Sequence, residues 1–550
     1  MNRMFETHTI RKEKSLNGMW RFKAEGNAKE YTLPVPGCWE QHPDFSAYRG
    51  RGKYERVIDI EKSSNIRFEF KGVSHTADVY LDGEKLVHHY NAYTPFAAVV
   101  KNVAEGRHNL SVEVDNSFNE NSALHIPNDY YTYGGITRPA SFEYINEAYI
   151  AYIHFNYNDN GRADISIKVN NVSDSEFCGQ LCVYLLDREM NAEVKIPANG
   201  EEIISVSGDF SDAEKWSSEN PKLYILRAEL SAGDRKIDDL NERVGFRTVC
   251  VDGDKIKVNG EEIYFKGFNR HEDYAVVGCA IPEQLMAADL DLMQDMGANA
   301  VRTCHYPNDE RFLDMCDERG LLVWEENHAR GLVLEDMQNK NFEKQCEDCI
   351  YEMIENHYNH PSIVIWGILN ECASETEEGR EMYKKQYEQI KGLDTSRPTT
   401  SATCRHFKDI SLDLPDVVSF NMYSRWYQDV DPAERNDKEI EWIKKSGGDN
   451  KPIIVSELGA AALYGYRDRT RCKWSEERQA DILEENLKVY MSDERICGVF
   501  IWQFADCRVT EEGTWFQSRA RCHNNKGVVD EYRRPKIAYD TVKEIFTNTK

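Results

Sequence analysis

Two apolar runs, far apart in the chain, end in the same way. Ile363-Val364-Ile365-Trp366-Gly367-Ile368-Leu369 runs into Asn370-Glu371, and Pro452-Ile453-Ile454-Val455 runs into Ser456-Glu457. A short, continuous run of β-branched residues is the pattern of a strand buried on both faces, which is how strands of a helix-covered parallel sheet read. The surroundings agree. From residue 250 onward such runs alternate with segments of helical period: Ile263–Gly267, Ala300–Thr303, Leu321–Trp324, 363–369, Thr399–Thr403, Val417–Phe420, 452–456 and Val499–Trp502. Helices are expected from Pro282, with Leu285, Ala288, Leu292 and Met296 as the apolar face, and at Glu310–Glu318, Phe342–Tyr358 and Ile537–Phe546. Strands alternating with helices imply βαβ units, and eight of them imply a (β/α)8 barrel, a TIM barrel.

The chain before residue 250 reads differently. Ala77-Asp78-Val79-Tyr80-Leu81 closes in an Asp-Gly turn, and Leu16–Phe22, Ile66–Phe70 and Leu110–Val114 are further short strands. Ala163–Val169 and Gln180–Leu185 alternate with period two. Two β-sandwiches are expected, a jelly-roll sandwich over 1–142 and an immunoglobulin-like sandwich over 143–249, with the barrel over 250–550. The fold class is therefore multidomain β plus α/β.

Charge and composition exclude several functions. A net charge of −27 argues against nucleic acid and against an anionic membrane surface. It leaves room for a small anionic substrate, because a local basic patch can dominate within a cleft. No run of eighteen apolar residues exists, and Met1 to Ser15 is charged, without the apolar core of an export signal. Fifteen cysteines without framework spacing then suggest reduced thiols and a cytoplasmic protein. The 10 Trp, 29 Tyr and 22 Phe suit stacking on sugar rings as well as the packing of β-domains.

In a barrel of this type chemistry sits at the C-terminal ends of the strands. Read there, the sequence supplies Asn269-Arg270-His271-Glu272-Asp273, His305-Tyr306-Pro307, Glu325-Glu326 with His328 and Arg330, Asn370-Glu371, Asn421 with Tyr423 and Trp426-Tyr427, Glu457, and Trp502. Glu371 and Glu457 face each other across such a mouth. Two carboxyl groups flanking a bond are what glycoside hydrolysis needs, one as proton donor and one as nucleophile or base.

Leu-Asn-Gly-x-Trp at 16–20, Gly-Phe-Asn-Arg-His-Glu-Asp at 267–273, Arg-Thr-Cys-His-Tyr-Pro at 302–307, Asn-Glu at 370–371 and Ser-Glu-Leu-Gly at 456–459 together resemble glycoside hydrolase family 2, over its whole three-part architecture. The resemblance implies Glu371 as acid/base and Glu457 as nucleophile, in a retaining mechanism that needs no metal or other cofactor. Retention predicts carboxyl groups roughly 5–5.5 Å apart. It further implies Asn370 on the sugar 2-hydroxyl, Tyr423 holding the nucleophile, Trp502 flooring the site, and His305 and Tyr427 as sugar contacts. Asn524-x-Lys526 resembles the signature by which β-glucuronidases in this family hold a substrate carboxylate, and Asp129 matches a loop of the first sandwich that reaches into the pocket. The substrate implied is a small uronide and the assembly a homo-oligomer. The alternatives are a neutral-sugar member of the family, a β-galactosidase or β-mannosidase, and a non-catalytic carbohydrate-binding protein.

The sequence departs from the family pattern at several points. Cys372 follows Glu371 where Pro is common, and Leu458 follows Glu457 where Tyr is common among β-glucuronidases. The pocket arginine has no in-register match, so Arg519 or Arg521 takes its place, with Arg521 in the expected site set. The segment after the third strand lacks the long loop of some gut-bacterial relatives. Arg330 stands in that segment, where the family has a small or apolar residue; a guanidinium there reaches the C4 hydroxyl or the carboxylate and favours galacturonides over glucuronides. Cys346-x-x-Cys349 with His357-x-x-His360 mimics a zinc set, but 346, 349, 350, 353 and 357 form one helical stripe and read as core.

Overall fold

A computed structural model describes residues 2–512 and 515–548; Met1, 513–514 and 549–550, which fall within the expected first and last units, lie outside the described residues. The first β unit packs a six-stranded sheet, in the order Tyr31–Val35, Gly18–Ala24, Arg51–Ile60, Gly106–Asp115, Thr76–Leu81, Glu84–Tyr90, on a four-stranded sheet of Lys12–Ser15, Ala140–Ile145, Ser64–Phe70 and Phe96–Val103. Alternation sets the faces: Trp20, Phe22 and Ala24 point into the core while Met19, Arg21 and Lys23 point out. The second unit is a three-stranded sheet (Ala148–Tyr157, Arg162–Asn171, Glu201–Asp209) on a four-stranded one (Arg188–Ile196, Phe177–Leu185, Tyr224–Ala232, Arg235–Val244).

The third unit is a closed barrel of eight parallel strands: Phe265–Asn269, Ala300–Thr303, Leu322–Glu326, Ile363–Asn370, Thr399–Thr403, Val417–Asn421, Ile453–Leu458 and Gly498–Ile501. Each lies within two residues of the run read from the sequence. Its interior is filled by Phe265, Leu322, Trp324, Ile365, Ala402, Ile454 and Phe500. A small sheet (Val249–Asp252, Lys255–Val258, Glu261–Glu262) adds Ile256 and Val258 to the same cluster. The interior is thus packed, and the polar residues gather at the strands' C-terminal rim.

One helix face differs from expectation. The helix Glu283–Asp295 buries Met286, Asp289, Leu290 and Met293, so the inward stripe is turned from the one expected; of the expected face, Met296 is buried and Leu285, Ala288 and Leu292 are only partly buried. The cause is Asp289, which an apolar count places outside. Its carboxylate meets Arg270 Nε at 2.9 Å and Arg533 Nε at 2.8 Å, and the two guanidiniums hold it ionised below the usual carboxylate range although burial opposes this. The Cys346, Cys349, Ile350, Met353 and His357 stripe is buried against the barrel as read, with His357 Nδ1 2.9 Å from Glu325.

The first sandwich is fixed to the barrel by a buried ion pair. Arg138 donates to Glu272 Oε2 (2.7 Å), to Pro307 O (2.7 Å) and to Tyr93 O (2.6 Å), and both charged side chains are almost fully buried. Removing one partner of such a pair strands the other's charge, at about 3–5 kcal/mol. Arg138→Ala therefore lowers the unfolding free energy by about that much, read as a fall in the denaturant midpoint; a loss below about 1 kcal/mol, as for an exposed pair, contradicts this view of the junction.

Candidate active site

The fourth and seventh barrel strands deliver Glu371 and Glu457 to one cavity of about 240 Å³, which is also lined by Asp129, Arg330, Cys404, His406, Asn421, Tyr423, Tyr427, Arg435, Trp502, Arg519 and Lys526. A larger cavity of about 920 Å³ lies against the outer face of the six-stranded sheet and holds none of the expected site residues. The convergence of ionisable groups, not volume, selects the smaller one.

Arg302, with its side chain fully buried, organises the floor. It donates to both oxygens of Glu326 (2.9 Å each), to Glu457 Oε1 (3.1 Å), to Asn370 Oδ1 (2.9 Å) and to Asn269 Oδ1 (3.0 Å). Tyr423 Oη donates to Glu457 Oε2 at 2.6 Å. One residue bears on both acids, on Glu457 by backbone register and on Glu371 by its side chain. Asn421 pairs in register with Glu457 and donates its Nδ2 to Glu371 Oε1 at 2.8 Å.

Glu371 has a left-handed backbone, φ 56°, which a residue with a Cβ adopts at a cost of order 1–3 kcal/mol. Its surroundings hold it there. Its N–H donates to Ala402 O (2.8 Å), and Arg405 donates to Glu371 O (3.2 Å) and Cys372 O (3.3 Å). Arg330 places Nη2 3.3 Å from Glu371 Oε2 and Nη1 3.1 Å from Asn128 Oδ1.

The opposite wall is shared between domains. Asp129, from the first sandwich's loop, takes two bonds from Arg519 (2.7 and 2.6 Å) and one from Asn524 Nδ2 (3.0 Å). Arg519, not Arg521, faces the cavity; Arg521 turns away to Glu531 at 2.6 Å. Asn524 is fully buried with its amide donated to Asp129, so it reaches the pocket through that carboxylate. Lys526 lies over the rings of Tyr423 (5.8 Å) and Tyr427 (5.3 Å), is 2% exposed, and has no carboxylate within 4.0 Å among the described residues. His305 stacks on Trp502 (5.0 Å), holds Glu326 through Nδ1 (2.7 Å), and sets Nε2 3.9 Å from Glu457. The Nδ2 of Asn370 and the Nε2 atoms of His271 and His305 are buried and unpartnered among the described residues, which is the state of groups kept for a ligand.

Three family models match the chain: "Glycosyl hydrolases family 2, sugar binding domain" over residues 28–144, "Glycosyl hydrolases family 2" over 148–247, and "Glycosyl hydrolases family 2, TIM barrel domain" over 249–550. The chain belongs to glycoside hydrolase family 2. A family 2 β-galacturonidase from Eisenbergiella tayi, solved bound to galacturonate, is 49% identical with a TM-score of 0.95, over 100% of this chain and 99% of that one. A β-D-glucuronidase from Dictyoglomus thermophilum is 25% identical with a TM-score of 0.84, over 100% and 98%. A β-glucuronidase from Paenibacillus borealis is 26% identical over 97% of both chains.

Sequence reading missed Arg302 as the shared donor, Arg405 as the clamp on the Glu371 backbone, and the basic pair His406 and Arg435. Asn128 was also passed over, although it adjoins Asp129 in the same loop.

Burial, with the neighbouring Glu371, pushes the Glu457 carboxyl up to about 7, while Arg302 and the Tyr423 hydroxyl pull it down. Tyr423→Phe removes one downward pull. The carboxyl then titrates at higher pH, and the acid limb of kcat/KM, which reports the free enzyme, moves up by about one unit. An acid limb that stays in place or moves down contradicts this origin of the Glu457 shift.

Proposed function

We propose that this protein is a retaining exo-β-hexuronidase that acts on β-D-galacturonides in preference to β-D-glucuronides. One observation carries the uronide part: the buried ammonium of Lys526 has no carboxylate within 4.0 Å among the described residues. A buried cation that no carboxylate contacts directly is costly, and a sugar carboxylate beside Lys526 and Arg519 supplies that contact. Local charge supports this. Arg302, Arg330, Arg519 and Lys526 surround Asp129, Glu326, Glu371 and Glu457. With one of these carboxyls carrying the catalytic proton, one positive charge is left over.

In this reading Glu457 attacks the anomeric carbon and forms a covalent glycosyl-enzyme, with Arg302 and Tyr423 aiming its oxygens. Glu371 gives its proton to the leaving oxygen, then takes one from the water that releases the sugar, so configuration is retained. Asn370 Nδ2 meets the 2-hydroxyl, a contact that strengthens in the transition state, and Trp502 and Tyr427 bound the ring. The cavity is smaller than the ~300–1,000 Å³ usual for drug-sized ligands, which suits one terminal sugar. Arg330 reaches from Glu371 towards Asn128, where its donors meet the axial C4 hydroxyl of galacturonate; the similarity to the Eisenbergiella tayi enzyme supports the same epimer.

No helix among the described residues is long and apolar enough to cross a membrane. All fifteen cysteines are free, which supports placing the protein in the cytoplasm. A homo-oligomer is part of the proposal, by analogy with the family.

Initial rates on nitrophenyl β-galacturonide, β-glucuronide and β-galactoside test the reading. Wild type is expected to prefer the galacturonide. Lys526→Ala lowers kcat/KM on both uronides by about a hundred- to a thousandfold, the effect of removing one partner of a buried charge pair, and Arg330→Ala narrows the epimer ratio. Comparable turnover of the galactoside in wild type sinks the uronide reading. An epimer ratio unchanged in Arg330→Ala removes the role given to that residue.

A further inference from the structure

The wall beyond Glu371 carries basic groups arranged around a buried acid. Cys404 and His406 follow the fifth barrel strand, Arg435 lies on the helix Pro432–Ile443, and all three line the cavity. Glu439, one turn further along that helix and fully buried, lies 2.8 Å from His406 Nδ1 and 3.4 Å from Arg435 Nε. The guanidinium of Arg435 also stands over the Phe407 ring at 5.0 Å. One carboxylate therefore serves two basic heads, hydrogen-bonded to His406 and ion-paired with Arg435. It engages only Nδ1 of His406 and Nε of Arg435, and no acceptor among the described residues takes a hydrogen bond from the Nη atoms of Arg435. A held guanidinium with its fork open is suited to a bidentate carboxylate.

Position decides what that fork meets. The leaving oxygen must lie against Glu371, so the leaving group passes Cys404, His406 and Arg435 on its way out. The aromatic lining, Tyr423, Tyr427 and Trp502, belongs to the sugar end near Lys526 and Glu457. The cavity-lining residues on the exit side are Cys404, His406 and Arg435, and the neighbouring Phe407 ring lies under the Arg435 guanidinium at 5.0 Å.

We propose that the leaving group is itself an acidic sugar: the substrate is a saccharide whose terminal β-linked uronic acid is joined to a second, carboxylate-bearing ring, and Arg435 with His406 grips that second carboxylate. This rests on the hexuronidase reading above. The chemistry is the same hydrolysis: the anomeric C–O bond breaks, water gives its hydroxyl to the anomeric carbon, and a proton goes to the leaving oxygen.

The test uses three substrates with the same terminal β-galacturonosyl unit: a disaccharide with a uronic acid at the reducing end, the methyl ester of that acid, and the nitrophenyl uronide. Wild type is expected to hydrolyse the acid with kcat/KM at least tenfold above the ester. Arg435→Gln is expected to lower kcat/KM on the acid at least tenfold more than on the ester. Equal kcat/KM on acid and ester, with the nitrophenyl uronide turned over, overturns the leaving-group inference and leaves the hexuronidase reading standing. No turnover of any of the three overturns both. The comparison of acid with ester in wild type decides the matter even if the variant does not fold.

Discussion

The site depends on one buried guanidinium. Arg302 lies in the second barrel strand with its side chain fully out of solvent and bonds to groups from the first, third, fourth and seventh strands. Its ring neighbour is Trp324, 4.6 Å away, so it has no route to water. A charge in that position must be satisfied by protein. Satisfying it draws Glu326, Asn370 and Glu457 to one point, and Asn421 extends the network to Glu371. The placement of Glu371 and Glu457, the proposed catalytic pair, therefore rests on a hydrogen-bond network as well as on the strands. A network of this kind keeps the site organised before substrate arrives, which is where electrostatic catalysis gains most.

A second constraint comes from outside the barrel. The pocket is closed by a loop of the first sandwich, whose Asp129 is the shared acceptor of Arg519 and Asn524. The same loop puts Asn128 on Arg330, and the sandwich is locked to the rim through Arg138 and Glu272. Docking of the first sandwich thus fixes both Arg519, in the proposed carboxylate clamp, and Arg330, the residue proposed for C4 recognition.

The barrel was legible because strands such as 363–369 and 452–455 are apolar runs set between segments of helical period, although the fifth strand, Thr399–Thr403, carries a single apolar residue. The acids were legible because each ends such a run, and resemblance to the family supplied their roles. What stayed hidden was set by pairing across long sequence distances. Asp289 looks like a surface residue until Arg270 and Arg533 are seen to neutralise it. Arg519 and Arg521 are indistinguishable in the sequence; the positive φ of Arg521, 61°, and the nearby Glu531 turn the latter outward. The role of Asn524 depended on where Asp129 would lie, 395 residues away in the chain. Arg405 also pairs with Glu375 at 3.2 Å, but its hold on Glu371 gave no signal, because it runs through backbone carbonyls that every residue carries.

The central claim is that Glu457, aimed by Arg302 and Tyr423, is the atom source for a covalent intermediate on a uronic acid. Incubation with a 2-deoxy-2-fluoro-β-galacturonosyl fluoride, then digestion and mass spectrometry of the peptides, tests it directly. The account predicts one fluorouronosyl unit on the peptide holding Glu457, formed as activity is lost. A label on Glu371, or steady turnover of uronides with no labelled carboxyl, contradicts it.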